Sequence, residues 1–264
     1  MIGPDLETRL RAKREAGRKL LVPYVTGGVP GWIDAVRASA ASGADAIEIG
    51  IPFSDPVMDG PVIQEASQRA LDAGATPVSI LQELRGVDVD VPLVVMCYYN
   101  TVHHAGHDRF AAQLREAGVV GAIVPDLPLE ESGPWCEAAD RVGVATVMLA
   151  APTAPDDRLP RICERARGFV YSVGLLGVTG ERDNLAATAT SLASRLKKVT
   201  DRPVIVGVGV SNAVQAVEAC RVADGVVQGA SVVRRLMEGG PDAVGQYVEE
   251  VRRALDDAFS PVGD

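Results

Sequence analysis

Eight short Val/Ile-rich runs, separated by stretches of helical period and turn residues, predict an α/β fold, a closed (β/α)8 barrel. Three observations carry that expectation. The runs are continuous rather than alternating, as strands covered on both sides must be. Helical segments lie between consecutive runs, which makes neighbouring strands parallel. Eight such units fill the 264 residues, and no Gly/Ser-rich linker divides them. The expected organisation is one domain over residues 1–264, a TIM barrel with an N-terminal helix and extra segments after strands 2, 6 and 8.

The elements follow in order. Asp5 is an expected N-cap for a first helix in which Leu6 and Leu10, four apart, share a face. This basic N-terminal stretch has no apolar h-region, so it does not read as a signal peptide. The strand runs begin near Leu20 (LLVPYV), Ala44 (ADAIEIGI), Val91 (VPLVVMCY), Val119 (VVGAIVPD), Val144 (VATVMLA), Gly168 (GFVYSV), Arg202 (RPVIVGVGV) and Ala223 (ADGVVQGA). Between the third and fourth lies an amphipathic stretch in which Phe110 and Leu114 share a face, with Asp108 as the expected cap and Gly118 as the stop. The longest intervals follow strands 2 and 6. Extra chain there falls at the C-terminal face of a barrel, where such folds place their chemistry.

Composition narrows the function. Hydrophobic residues make up 47% and charged residues 23%, the balance of a folded globular chain. A net charge of −9 disfavours nucleic acid and anionic membrane as partners. No apolar run reaches the roughly 18 residues of a membrane helix. Cys97, Cys136, Cys163 and Cys220 form no CxxC pair and read as reduced core cysteines of a cytoplasmic protein.

Glu48 is the most unusual residue, a carboxylate in the middle of AIEIG. Period-two alternation turns Ala46, Glu48 and Gly50 into the barrel and Ile47 and Ile49 toward the helices. A desolvated carboxyl is either paired structurally or has a raised pKa, which suits it to general acid/base work. Small neighbours on its face leave room for a ligand. Asp55 and Asp59 follow in a loop stiffened by Pro52, Pro56 and Pro61. Asp55 reads as a turn-former, whereas Asp59 is either a helix cap or the second member of a carboxylate pair with Glu48. Tyr24 and Tyr171 sit on strands 1 and 6, as core packing or as pocket walls. Gly180, Gly209, Gly229 and Ala230 lie in the loops after strands 6, 7 and 8, where backbone N–H groups and a helix N-terminus make the usual barrel phosphate site. Gly207-Val208-Gly209 is not a dinucleotide fingerprint. His103, His104 and His107 lack any partner motif for a metal and read as solvated loop histidines.

The run Ile47-Glu48-Ile49-Gly50-Ile51-Pro52-Phe53-Ser54-Asp55-Pro56, continued by Asp59-Gly60-Pro61, resembles the signature of the tryptophan synthase α chain family. The resemblance extends to Pro23-Tyr24-Val25-Thr26-Gly27-Gly28, Tyr98-Tyr99-Asn100, Pro125-Asp126-Leu127-Pro128, Tyr171, Gly177-Val178-Thr179-Gly180 and Gly207-Val208-Gly209-Val210-Ser211. It implies a barrel that cleaves indole-3-glycerol phosphate to indole and glyceraldehyde 3-phosphate and hands indole to a β chain, as an α2β2 tetramer. The chain itself would need no cofactor, and pyridoxal phosphate would reside on the partner. Glu48 would be the acid/base at indole C3, and Asp59 would meet the indole N–H. Tyr24, Tyr98, Tyr171 and Thr179 would line the substrate, and Gly180, Gly209, Gly229 and Ala230 would contact its phosphate. Four residues depart from the common pattern: Met58 is larger than usual, Thr101 replaces a proline, Leu175 stands in the closing loop, and Ala230 replaces a serine. The last leaves the phosphate about 0.5–1.5 kcal/mol poorer by one hydrogen bond. Two other functions compete: a free-standing lyase that releases indole, and a non-catalytic partner that only activates a β chain. Intact Glu48 and Asp59 weigh against the latter.

Overall fold

The computed structural model describes residues 5–174, 182–207 and 209–260. Eight parallel strands form a closed barrel in sequence order: β1 (Leu20–Thr26), β2 (Ile47–Gly50), β3 (Leu93–Met96), β4 (Val119–Ile123), β5 (Ala145–Ala150), β6 (Val170–Val173), β7 (Val204–Gly207) and β8 (Gly225–Gln228). Each expected run holds one strand. The helices are α1 (Leu6–Glu15), α2 (Trp32–Ala41), α3 (Pro61–Asp72), α4 (Pro77–Leu84), α5 (Tyr99–Ala105), α6 (His107–Glu116), α7 (Gly133–Val142), α8 (Arg158–Arg165), α9 (Arg182–Leu196), α10 (Ala213–Cys220) and α11 (Ala230–Phe259). The long interval after β2 holds a loop and two helices, α3 and α4. That after β8 holds α11, which is two helices joined at Gly240, where φ is 73°, and Pro241.

Register sets which side chains meet inside. Tyr24 pairs with Glu48, Glu48 with Val94, and Val94 with Gly121, so one inward layer runs from β1 to β4. On the opposite wall Leu149 pairs with Tyr171, and Tyr171 with Ile205. The first helix closes the N-terminal end. Asp5 accepts the Thr8 N–H at 2.7 Å as its cap, and the Leu6 side chain lies where a Cβ on Gly121 or Gly168 would go. Glycine at those two positions makes room for the plug.

Two local expectations are corrected. Gly106, not Asp108, precedes α6, because one glycine with φ 84° both ends α5 and starts α6. Asp108 lies inside the first turn, where it suits the helix dipole and pairs with Arg141. His103 and His104 belong to α5, not to a loop, and His107 opens α6 with its Nε2 3.0 Å from the Tyr99 hydroxyl. Among the described residues no cluster could hold a metal ion, and no helix is long and apolar enough to cross a membrane. All four cysteines are free and buried.

Candidate active site

The C-terminal mouth of the barrel opens into a cavity of about 210 Å3. Tyr24, Glu48, Asp59, Tyr171, Gly209, Gly229 and Ala230 all line it. Residues as far apart as Tyr24 and Ala230 are brought together because each lies in a strand, in the loop after it, or at the start of the following helix. Thr179 and Gly180, and Leu175 with them, lie outside the described residues.

Glu48 is 1% exposed, and its Oε2 has no hydrogen-bond partner. Burial and the nearby Asp59 push its carboxyl up to about 8. Among the described residues no Lys or Arg lines the cavity to keep it charged, so near neutral pH it holds a proton. Burial also raises the Asp59 carboxyl, but a hydrogen bond from the Tyr98 hydroxyl opposes that shift. The two acids therefore differ: one is dry and unpaired, the other half-buried and hydrogen-bonded, an arrangement that separates an acid from a carboxylate. Asp59 is not a helix cap. Gly60 occupies the N-cap of α3, with Pro61 at its first position.

Tyr98 does not line the cavity. It sits under the β2 loop, its ring stacked on Phe53 with centroids 5.1 Å apart, and its hydroxyl accepts the Met58 N–H at 2.9 Å. The same hydroxyl that fixes the Met58 backbone donates to Asp59, so one side chain sets both the loop and the carboxylate. Asp55 is exposed and accepts the Ser54 hydroxyl at 2.6 Å, as a turn residue does.

Tyr24 and Tyr171 are both buried, with hydroxyls pushed well above the ordinary tyrosine range by desolvation. They stay protonated, so each offers a neutral hydroxyl and an apolar ring rather than a charge. Each lies across a glycine of the next strand: a Cβ on Gly50 would overlap the Tyr24 hydroxyl, and one on Gly207 the Tyr171 ring. Between the acids and the glycines the walls are apolar, built from Ile63, Met96, Ile123, Leu149 and Val173. Sequence reading had not singled these out. The inward alternation of strand ends was the available signal, but apolar residues there are indistinguishable from ordinary core.

The far end of the cavity carries no charged side chain; glycine and alanine backbone lies there beside Ser211 and Ser231. Gly209 has φ 83°, and Gly229 precedes α11, whose first intrahelical bond is Val232 N–H to the Gly229 carbonyl at 3.0 Å. The N–H groups of Ala230 and Ser231 thus precede the helix's own ladder, where the dipole favours an anion. A larger hollow of about 430 Å3 lies along β4 and β5 and shares Met58, Pro125, Leu149 and Val173 with the cavity. It holds neither Glu48 nor Asp59.

A (β/α)8 barrel with two unlike carboxyls in an apolar slot at its C-terminal mouth has the parts of an acid/base enzyme. The family model described as "Tryptophan synthase alpha chain" matches residues 10–258. The tryptophan synthase alpha chain of Streptomyces coelicolor is 44% identical over 245 residues, covering 91% of this chain and 90% of the relative. That of Halorhodospira halophila is 44% identical over 94% of this chain and 95% of its own. Solved structures agree. The alpha chain from Legionella pneumophila superposes with a TM-score of 0.88 at 30% identity, over 98% of this chain and 100% of that one. A chain of Mycobacterium tuberculosis tryptophan synthase gives 0.87 at 36% identity, over 95% and 97%. The chain belongs to the tryptophan synthase alpha chain family, whose reaction is the lyase cleavage of indole-3-glycerol phosphate.

Proposed function

We propose that Glu48 and Asp59 carry this cleavage and that the glycine-lined end of the cavity holds the phosphate. The observation that carries the reading is a buried Glu48 with an unpartnered oxygen and a hydrogen-bonded Asp59 lining one apolar slot. The bond between indole C3 and the glycerol chain breaks only once C3 is protonated, because the resulting indolenine can accept the bonding electrons. Glu48 donates that proton. Asp59 accepts the indole N–H and stabilises the positive charge that grows on the nitrogen. The Glu48 carboxylate then takes the proton of the glycerol hydroxyl on the carbon being released. That hydroxyl becomes the aldehyde of glyceraldehyde 3-phosphate, and the electrons of the broken bond return to the ring to give indole. Tyr24 and Tyr171 wall the ring, Tyr98 positions Asp59, and Thr179 and Gly180 belong to the loop expected to close over the substrate.

The chain works as one domain over residues 1–264, in the cytoplasm, with no cofactor of its own and pyridoxal phosphate on a β chain. Docking falls at the mouth, around the loop from Pro52 to Gly60, where Val57 is 75% exposed beside Phe53 and Met58. A loop that projects an aliphatic side chain next to the acids suits a partner that receives indole and builds an α2β2 tetramer. The deciding experiment follows indole release from indole-3-glycerol phosphate by the purified chain, titrated with a β chain. Slow cleavage that the β chain accelerates is the expected result. Fast cleavage by the isolated chain, with no complex formed, would point to a free-standing lyase instead.

Phosphate binding has its own test. Gly209→Val puts a β-branched side chain at φ 83°, a conformation it avoids, and crowds the cradle. The variant should raise KM by about 10-fold or more, the loss of one or two charge-assisted hydrogen bonds. Inorganic phosphate should compete with substrate in the parent protein and poorly in the variant. An anion found bound by Lys or Arg elsewhere would overturn the assignment.

A further inference from the structure

Behind the first turn of α11 lies a buried polar cluster that the cleavage does not use. Gln228, the last residue of β8, is 1% exposed and points away from the cavity into the layer between barrel and helix. Its Oε1 accepts two hydroxyls, Tyr247 at 2.6 Å and Ser231 at 3.0 Å, and these lie 3.1 Å from each other. Ser231 is in the first turn of α11. Tyr247 comes from its second half, beyond the break at Gly240 and Pro241. Arg235 closes the cluster from outside, its guanidinium 3.7 Å from the centre of the Tyr247 ring and donating to the Ser231 carbonyl at 3.0 Å.

The cost of this arrangement points to a purpose. Both hydroxyl bonds use the amide oxygen, and the buried Nε2 of Gln228 has no partner. An apolar side chain would satisfy the packing without leaving a donor stranded. What the amide supplies is a tie among three parts of the chain. The second half of α11 is anchored on α2, where Gly31 abuts Pro241 and Gly245 abuts Ala38 and Ser42. Through Tyr247 that anchored half reaches the strand end at Gln228 and the helix start at Ser231. The short first half of α11, cut off from its continuation by the break, would otherwise be held mainly by its own packing.

We infer that Gln228 and Tyr247 are positioning residues for phosphate, fixing the first turn of α11 so that the Ala230 and Ser231 N–H groups point into the cavity. Neither side chain lines the cavity. The inference rests on the reading of that end as the phosphate site and adds what holds it in shape. Backbone donors gain from being fixed in advance, because ordering them on binding costs affinity. With Ala in place of a serine hydroxyl at position 230, the fixed backbone carries more of the recognition.

The test uses the full chain with Tyr247→Phe, Gln228→Leu and the double variant. The inhibition constant of inorganic phosphate and the KM for indole-3-glycerol phosphate should each rise about three- to tenfold. Turnover at saturation, and the affinity for indole, which has no phosphate, should change less than about twofold, within the scatter of a lost neutral bond. The two single changes should be non-additive in the double variant, since they break one tie. A merely structural cluster would lower Tm and leave phosphate inhibition unchanged, and that outcome overturns the inference. If phosphate fails to inhibit the parent chain as well, the phosphate reading itself falls. Gln228→Leu removes the stranded donor, so it should cost little stability and keeps the test readable if Tyr247→Phe folds poorly.

Discussion

Glu48→Gln is expected to lower indole formation by about 10³-fold or more, the upper range for a positioned proton donor that also serves as base. The amide keeps the shape and polarity of the carboxyl, so substrate should still bind, and the loss should appear in kcat rather than KM. In the parent chain the acid must be protonated at the start of each turnover. With the Glu48 carboxyl pushed up to about 8, kcat/KM should fall as pH rises past that value. Residual activity of the Gln variant should lack this limb. The stability of the parent should also fall as pH rises. The native carboxyl holds its proton from the ordinary glutamate range up to about 8, while the unfolded one has lost it. The folded state therefore binds more protons in that window, and stability drains as pH rises through it. The Gln variant has no such drain, so its Tm advantage over the parent should widen between pH 5 and pH 9. Near-normal turnover in Glu48→Gln, or a high-pH limb that survives in it, would remove Glu48 from the chemistry.

The barrel was legible in the sequence because doubly covered parallel strands leave a plain mark, a run of β-branched residues bounded by turns. Glu48 stood out for the same reason: a carboxylate inside such a run has no cheap structural explanation. Asp59 was legible as a candidate but not as a choice. Only the tertiary structure excludes its alternative as a cap, since Gly60 is the N-cap of α3 and the Tyr98 hydroxyl bonds the Asp59 carboxyl. Tyr98 itself reads as a wall residue from its motif, yet its work is on a loop forty positions earlier, which only tertiary contact reveals. Asp108 illustrates a local limit. Asp is a good cap in general, but a glycine two residues before it had already turned the chain, so the helix began ahead of it. The Gln228 cluster left no mark at all. Glutamine at a strand end and tyrosine in a helix are ordinary residues until the break at Gly240 folds one over the other.

The largest loss of stability should come from the opposite end of the barrel, at Asp45. This carboxylate is fully buried, and both oxygens are saturated. Oδ1 accepts Lys13 Nζ at 2.9 Å and Arg18 Nε at 2.7 Å. Oδ2 accepts the Leu21 N–H at 2.9 Å and Arg252 Nη1 at 3.3 Å. Four segments meet there: the end of α1, the turn into β1, β1 itself and the second half of α11. Asp224 repeats the device across the barrel floor, accepting Lys197 Nζ at 2.9 Å and the Val204 N–H at 2.8 Å. Truncating Asp45 to Ala strands the Leu21 N–H and leaves Arg252, whose side chain is 8% exposed, with only the half-exposed Asp256 as counter-charge. Breaking such a group from one side costs about 3–5 kcal/mol. Asp45→Asn can still accept the Leu21 N–H, so it should lose less. Urea unfolding of the three proteins measures this directly, and turnover per folded molecule should stay near that of the parent, because none of the cluster's residues lines the cavity that holds Glu48. Two outcomes would contradict the account. An Asp45→Ala chain as stable as the parent would mean the cations find water at no cost. A loss of turnover with unchanged stability would mean that the barrel floor acts on the mouth through the strands.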